Sequence, residues 1–241
     1  MRWSPGAGPS TGSRSQIGFP PVDAHVVVAV DGPSGSGKSS TARGVARTLG
    51  LRYLDTGAQF RAMTLWMLDH DVDVADPAAV AACVAEPRIE SGTDPDDPTI
   101  DLDDADVGQA VRSDDVTAAV SAVASVPEVR QRLLDLQREY IGAGGIVVEG
   151  RDIGSVVAPE AGVKVYLTAD PAARAARRRA EAGEGSTTAS EQDLLRRDHI
   201  DSSRVTAPLT RPDGSVHIDT TGFTLAEVVA QVVTLVKDDD D

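Results

Sequence analysis

Apolar and polar positions along this chain follow two different periods, and the switches between them mark its elements. Val26–Val30 is a β-branched run that ends at a glycine-rich turn, the pattern of a parallel strand buried on both faces. A helix is predicted over 37–49, closed by Gly50 as its C-cap. A short strand (51–55) comes next, then a helix (56–70) with apolar residues at 60, 63, 67 and 68. Asp76-Pro77 reads as an N-cap with proline at the first helical position of a segment over 76–85.

The texture then changes. Between about 86 and 107, apolar and acidic residues alternate with Pro and Gly punctuation, which predicts a small antiparallel meander inserted into the chain. A long helix is expected at 127–142 and two more buried strands at 144–150 and 163–169. Asp170-Pro171 caps another helix, followed by the flexible link "EAGEGSTTASEQD". Ser190 and Asp193 resemble a capping box for a helix reaching Arg204. A last strand (215–221) and an amphipathic helix (224–237) complete the series, with no internal repeat. Strands alternating with helices imply an α/β fold with a doubly wound parallel sheet.

Composition narrows the function classes. With 241 residues and 41% hydrophobic content, the chain can bury the core of one domain carrying an insertion. Aromatics are only 3%, so that core must rest on Val, Leu, Ile and Ala. Cys83 is the only cysteine, which excludes an internal disulfide and a cysteine-rich zinc site and fits a reducing cytoplasm. His70, His199 and His217 have no ligand spacing. No apolar run approaches the ~20 residues needed to cross a bilayer. Residues 1–24, rich in Gly, Pro and Ser, are expected to be a flexible extension rather than a signal peptide. The formal net charge of −15 argues against nucleic acid or an anionic membrane as partner. Yet arginines cluster at 174–179 and 194–204, either to meet phosphates or to serve as ion-pair partners.

Gly32, Pro33, Ser34, Gly35, Ser36, Gly37, Lys38 and Ser39 fit G-x-x-x-x-G-K-[ST] between a strand and a helix. Glycines let successive backbone N–H groups turn around a phosphate, and the helix N-terminus adds positive potential. Lys38 can reach the β- and γ-phosphates of ATP, with Ser40 beside it, and the Ser39 hydroxyl can sit on Mg²⁺.

Four further stretches bear on which P-loop protein this is. In "LDTGAQFR" (54–61), Thr56 and Arg61 either face a second anion or are a helix cap and a surface arginine. "VVEGRDIG" (147–154) packs charge at the tip of a buried strand, where Arg151 and Asp152 serve a ligand or pair with each other. Arg174, Arg177 and Arg178 share one helix face, as a phosphate-covering lid or as a solvated basic surface. Arg197, Asp201 and Arg204 share another face, as ligand contacts or as a salt-bridge ladder.

Together, "DGPSGSGKSS", "LDTGAQFRA", "GRDIGSVV" and "RRDHIDSSRVTAPL" resemble the bacterial cytidylate kinases, from about residue 25 to 236. The resemblance implies a P-loop nucleoside monophosphate kinase that moves a phosphoryl group from ATP to CMP and dCMP with Mg²⁺. It implies that Thr56, Arg61, Arg130, Arg151 and Arg204 hold CMP and its phosphate, and that Ser121, Asp152 and Arg197 recognise cytosine. Asp201 would bind the sugar, while Lys38 and the lid arginines Arg174, Arg177 and Arg178 would meet the transferring phosphates. The attacking phosphate oxygen is already ionised near neutral pH, so no general base is assigned. The expected layout is a core over 25–85 and 108–236, a CMP-binding β insert at 86–107, a helical lid within 171–204 and an acidic tail at 237–241. A cytoplasmic monomer is expected. Competing readings are a small P-loop kinase for UMP, AMP or shikimate, and a non-catalytic nucleotide-binding switch.

Overall fold

The computed structural model of the chain describes residues 25–182, 191–203 and 209–239. The N-terminal extension, Ser190, Arg204 and most of the link after the arginine-rich helix lie outside the described residues.

Five parallel strands form the main sheet: β1 (Val27–Asp31), β2 (Arg52–Asp55), β6 (Ile146–Gly150), β7 (Val163–Thr168) and β8 (Val216–Asp219). Their order is β2-β6-β1-β7-β8, so β1 pairs in parallel with both β6 and β7. The chain leaves β1 toward one edge and, after β6, crosses to the other side at β7. A crevice therefore opens at the carboxyl ends of the strands, where the winding direction reverses. Alternation along β1 sends Val28 and Val30 to one apolar layer and Ala29 to the other. The first layer is closed by α1 (Lys38–Leu49) and α8 (Leu225–Asp239), the second by Ile153, Val157 and the apolar side chains of α5 (Pro127–Ile141).

A three-stranded antiparallel sheet, β3 (Ile89–Ser91), β4 (Ile100–Leu102) and β5 (Ala105–Asp106), stands where the meander is expected. Ile89, Ile100 and Leu102 share an apolar cluster with α2 (Thr56–Asp69), α3 (Pro77–Ala82) and α5. Asp76 caps α3 and Pro77 opens it, although that helix ends at Ala82, short of the predicted 85. Three elements escape the sequence reading: a 3-10 turn at Ala110–Arg112, α4 (Asp114–Val123), capped by Ser113, and a π-helical turn at Ile153–Val157. The arginine-rich helix α6 (Pro171–Ala182) and α7 (Glu191–Ser203) form as predicted. α8 continues to Asp239, past the predicted start of the acidic tail.

Gly44 lets α1 and α8 approach closely. A Cβ there would lie 2.6 Å from Cγ2 of Val229, and a β-branched side chain on a helix has little freedom to yield. Alanine gains helix propensity worth up to about 1 kcal/mol but overpacks the interface by about 1–3 kcal/mol. Gly44→Ala is expected to lower the free energy of urea unfolding by about 1 kcal/mol, and Gly44→Ala/Val229→Ala to recover most of that loss.

Candidate active site

Asp31, the last residue of β1, is where the site begins. Its carboxylate accepts the backbone N–H groups of Ile153 and Gly154, both at 2.8 Å, and so ties the P-loop strand to the "GRDIG" turn. Burial pushes the Asp31 carboxyl up to about 6; the two N–H donors pull against that rise, and the charge of Asp152 adds to it.

The loop then turns at Gly32, Gly35 and Gly37, all at positive φ. A Cβ on Gly32 would stand 2.1 Å from the Leu167 carbonyl oxygen, so β7 excludes any larger residue there. Gly37 caps α1 without a side-chain hydrogen bond, and the first turn of α1 holds no acidic residue. Those first-turn N–H groups are free of a side-chain cap at an end that carries positive potential. Lys38 curls back so that Nζ donates to the Pro33 carbonyl at 2.9 Å. Loss of solvent lowers its ammonium to about 8, and the Arg151 guanidinium pushes the same way.

Facing the loop, the tips of β2 and β6 carry acids. Asp55 caps α2 by accepting the Ala58 N–H, so Thr56 is the first helical residue and not the cap. The Thr56 hydroxyl donates to the Glu149 carbonyl at 2.7 Å. A Cβ on Gly150 would come within 2.6 Å of that hydroxyl, which accounts for the glycine before Arg151. The Glu149 carboxylate accepts from Tyr53 Oη at 2.5 Å and also meets the Ser39 hydroxyl. Burial first, then the charge of Asp55, push it up to about 7.

The arginines come paired. Arg130, from α5, forms a buried ion pair with Asp152, donates to the Ala124 carbonyl and stacks 5.4 Å from the Phe60 ring centroid. Asp152 is thus paired, but with Arg130 and not with its neighbour Arg151. Arg151 Nη1 lies 3.1 Å from Asp201 and 3.5 Å from Asp198. Arg61 donates to Thr117 Oγ1 and the Val111 carbonyl, binding α2 to α4 and the turn before it.

One cleft collects Ser34, Gly35, Gly37, Lys38, Ser39, Ser40, Thr56, Arg61, Ser121, Arg130, Arg151, Asp152, Arg178 and Asp201 of the predicted residues. Gly32, Pro33 and Ser36 shape the loop from behind. Arg174 is buried, donating to the Ser34 carbonyl and to Asp198. Arg177 instead clamps Thr220 at the end of β8, through its hydroxyl and its carbonyl, both at 2.8 Å. Of the three arginines read as one lid face, only Arg178 lines the cleft. The side chain of Arg197 and all of Arg204 lie outside the described residues. Sequence reasoning missed Glu149, Arg112 and Asp198. A charged residue inside a buried strand was the available signal for Glu149, while Asp198 sits beside the Arg197 that drew attention.

A raised carboxyl pKa has a definite sign. The folded chain binds the Asp31 proton more tightly than the unfolded chain, so ionising Asp31 costs stability. That cost is absent below about pH 4, complete above about pH 7, and amounts to about 3 kcal/mol. The unfolding free energy of wild type minus that of Asp31→Asn is therefore expected to fall as pH rises from 4 to 7. A difference that stays flat over that range would contradict the burial of this carboxyl.

The geometry thus offers an anion cradle at the N-terminus of α1 and, on the other wall of the same cleft, a second set of cations. The profile of the cytidylate kinase family matches residues 28–238. A cytidylate kinase of Streptomyces avermitilis is 53% identical over 215 residues, 88% of this chain and 93% of that protein. One from Streptomyces coelicolor is 52% identical over 92% of this chain and 96% of its own, and one from Rhodococcus opacus 49% identical over 88% and 95%. With both walls of the cleft built from the stretches that suggested the resemblance, the chain belongs to the cytidylate kinase family.

Proposed function

We propose that the protein transfers the γ-phosphoryl group of ATP to CMP, and also to dCMP, giving ADP and the nucleoside diphosphate. The observation that carries this reading is the two-sided cleft: a P-loop at the N-terminus of α1 faces Thr56, Arg61, Arg130, Arg151, Asp152, Ser121 and Asp201. A nucleotide switch needs only the first wall.

Two phosphate-bearing substrates repel until their charge is screened. Lys38 and Arg178 meet the donor phosphates, and Arg61 and Arg151 orient the acceptor phosphate for in-line attack. Arg204, outside the described residues, joins the acceptor side in this reading. Arg174 acts one step back, holding α6 on the loop through the Ser34 carbonyl. Arg177 fixes Thr220, and so the end of β8, against the P-loop, because the Thr220 hydroxyl also donates to the Ser36 carbonyl. The small sheet at 86–107 and the segment 171–204 are assigned as the CMP-binding insert and the lid.

Magnesium fits the donor set. The Ser39 hydroxyl lies at the cleft surface and meets the Glu149 carboxylate, both hard oxygen donors. Among the described residues no cluster of His, Cys, Asp or Glu could cage a metal alone, as suits an ion held mainly by the nucleotide's own phosphates. Ser39 and Glu149 would hold Mg²⁺, which would supply charge neutralisation for the transferring phosphates.

Asp152 and Ser121 accept from the exocyclic amine of cytosine, and Arg197 donates to its ring nitrogen and carbonyl. Uracil presents a carbonyl to those acceptors and leaves buried groups unpaired, a loss of about 1–3 kcal/mol per group. No helix among the described residues is long and apolar enough to cross a membrane. The protein is proposed to act as a cytoplasmic monomer.

A coupled ADP-release assay with ATP and Mg²⁺ over CMP, dCMP, UMP, AMP, GMP and shikimate tests the reading. Turnover of CMP and dCMP is expected to exceed that of UMP by about tenfold or more in kcat/KM. Preference for another acceptor would leave a kinase but remove the base pocket, and no turnover with any would favour the switch. Asp152→Asn is expected to cut kcat/KM for CMP by about 10–100-fold and to shrink the CMP to UMP ratio.

A further inference from the structure

α7 carries Asp198 and Asp201 three residues apart, on one face. Asp201 has a place in the proposed function; Asp198 has none, yet it stands between two arginines from separate elements. Its Oδ2 accepts from Arg174 Nη1 at 2.5 Å, and its Oδ1 lies 3.5 Å from Arg151 Nη1. Arg174 Nη1 also donates to the Ser34 carbonyl at 3.1 Å. One carboxylate therefore links the P-loop, through α6, to the tip of β6.

The pairing is incomplete. Arg151 Nη1, Arg174 Nε and Asp198 Oδ1 are buried with no hydrogen-bond partner. The charge of Asp198 also favours the protonated form of the Lys38 ammonium. Arg174 and Asp201 are buried and Arg151 and Asp198 half-buried, so a cluster with unmet hydrogen-bond capacity can redistribute its pairs toward a new anion.

We propose that Asp198 is a positioning residue that couples the two substrate sites by sharing its carboxylate between Arg174 and Arg151. This rests on the reading that Arg151 serves the acceptor phosphate. An acceptor phosphate that draws Arg151 toward itself leaves Asp198 to Arg174 alone. Arg174 is then held more firmly on the Ser34 carbonyl, and α6, which carries Arg178 into the cleft, is set over the P-loop. Acceptor binding therefore tightens ATP binding, and by linkage ATP tightens the acceptor by the same factor.

The test compares the full chain with Asp198→Asn, measuring the Kd of a non-hydrolysable ATP analogue with Mg²⁺, in the absence and presence of CMP, together with kcat and KM. In wild type, CMP is expected to tighten the analogue by about fivefold or more. Asp198→Asn removes a negative charge beside the phosphates, so each substrate alone is expected to bind as tightly as in wild type or more so. The coupling factor falls to about 1, and kcat drops by about tenfold or more. A residue that served packing alone would weaken both affinities and leave their ratio unchanged. That result, or a wild-type factor of 1, overturns the proposal. If Asp198→Asn melts too low to measure, Arg174→Lys reads the same ratio, since it keeps the charge but not the reach and planar geometry. Its collapse supports the coupling and its persistence rejects it. Wild type that turns over no CMP would sink the proposed function itself, whereas turnover with an unchanged ratio in Asp198→Asn sinks only this inference.

Discussion

Positive charge has to be concentrated at one edge of the sheet without driving its carriers apart, and the rest of the site follows from that constraint. Arg61, Arg112, Arg130, Arg151 and Arg178 line a single cleft beside Lys38 and the N-terminus of α1, in a chain whose formal net charge is −15. Such cations repel at close range unless each finds a nearby counter-charge or carbonyl. The structure provides these partners: Asp152 for Arg130, Asp201 and Asp198 for Arg151, and the Pro33 carbonyl for Lys38. The acids thus become part of the cleft, which concentrates positive charge in a chain that is acidic overall.

A parallel sheet makes this arrangement possible because all of its strands end on the same side. Asp31, Asp55 and Glu149 close β1, β2 and β6 within one crevice. Asp31 is fixed there by the distant backbone N–H groups of Ile153 and Gly154, Asp55 by the nearby Ala58 N–H, and Glu149 by the Tyr53 and Ser39 hydroxyls. Burying these carboxylates has a cost, visible in the raised pKa values of Asp31 and Glu149. What the cost maintains is a loop and a turn locked together before any substrate arrives. The loop and the turn therefore need little reorganisation, which leaves the arginine–carboxylate pairs as the part of the site that can shift.

Much of this was legible in the sequence because it rests on local chemistry. β-branched runs marked β1 and β6, glycines bounded α1, and Asp76-Pro77 opened α3. The P-loop reads directly because its function is carried by the backbone. α4 escaped because it stands directly behind an aspartate-rich stretch, although Val116, Val120 and Val123 keep helical spacing and Ser113 offered a cap. The pairing of charges was not legible. Helical spacing places Arg174, Arg177 and Arg178 on one face, but only tertiary contacts send Arg177 to Thr220 and Arg174 to Asp198. The same limit hid Arg130 as the partner of Asp152, 22 residues away.

That last pair bears on selectivity in the proposed function. Asp152 is buried, and alone its charge would be expensive; the Arg130 guanidinium beside it offsets that charge in the free protein. A carboxylate held in this way has lone pairs left for a second donor. An exocyclic amine can share Asp152 with Arg130, whereas a carbonyl at the same place would face a carboxylate and gain nothing. Discrimination between cytosine and uracil would then come from a group whose first task is electrostatic. A substitution at either end of the pair would disturb both affinity and base choice.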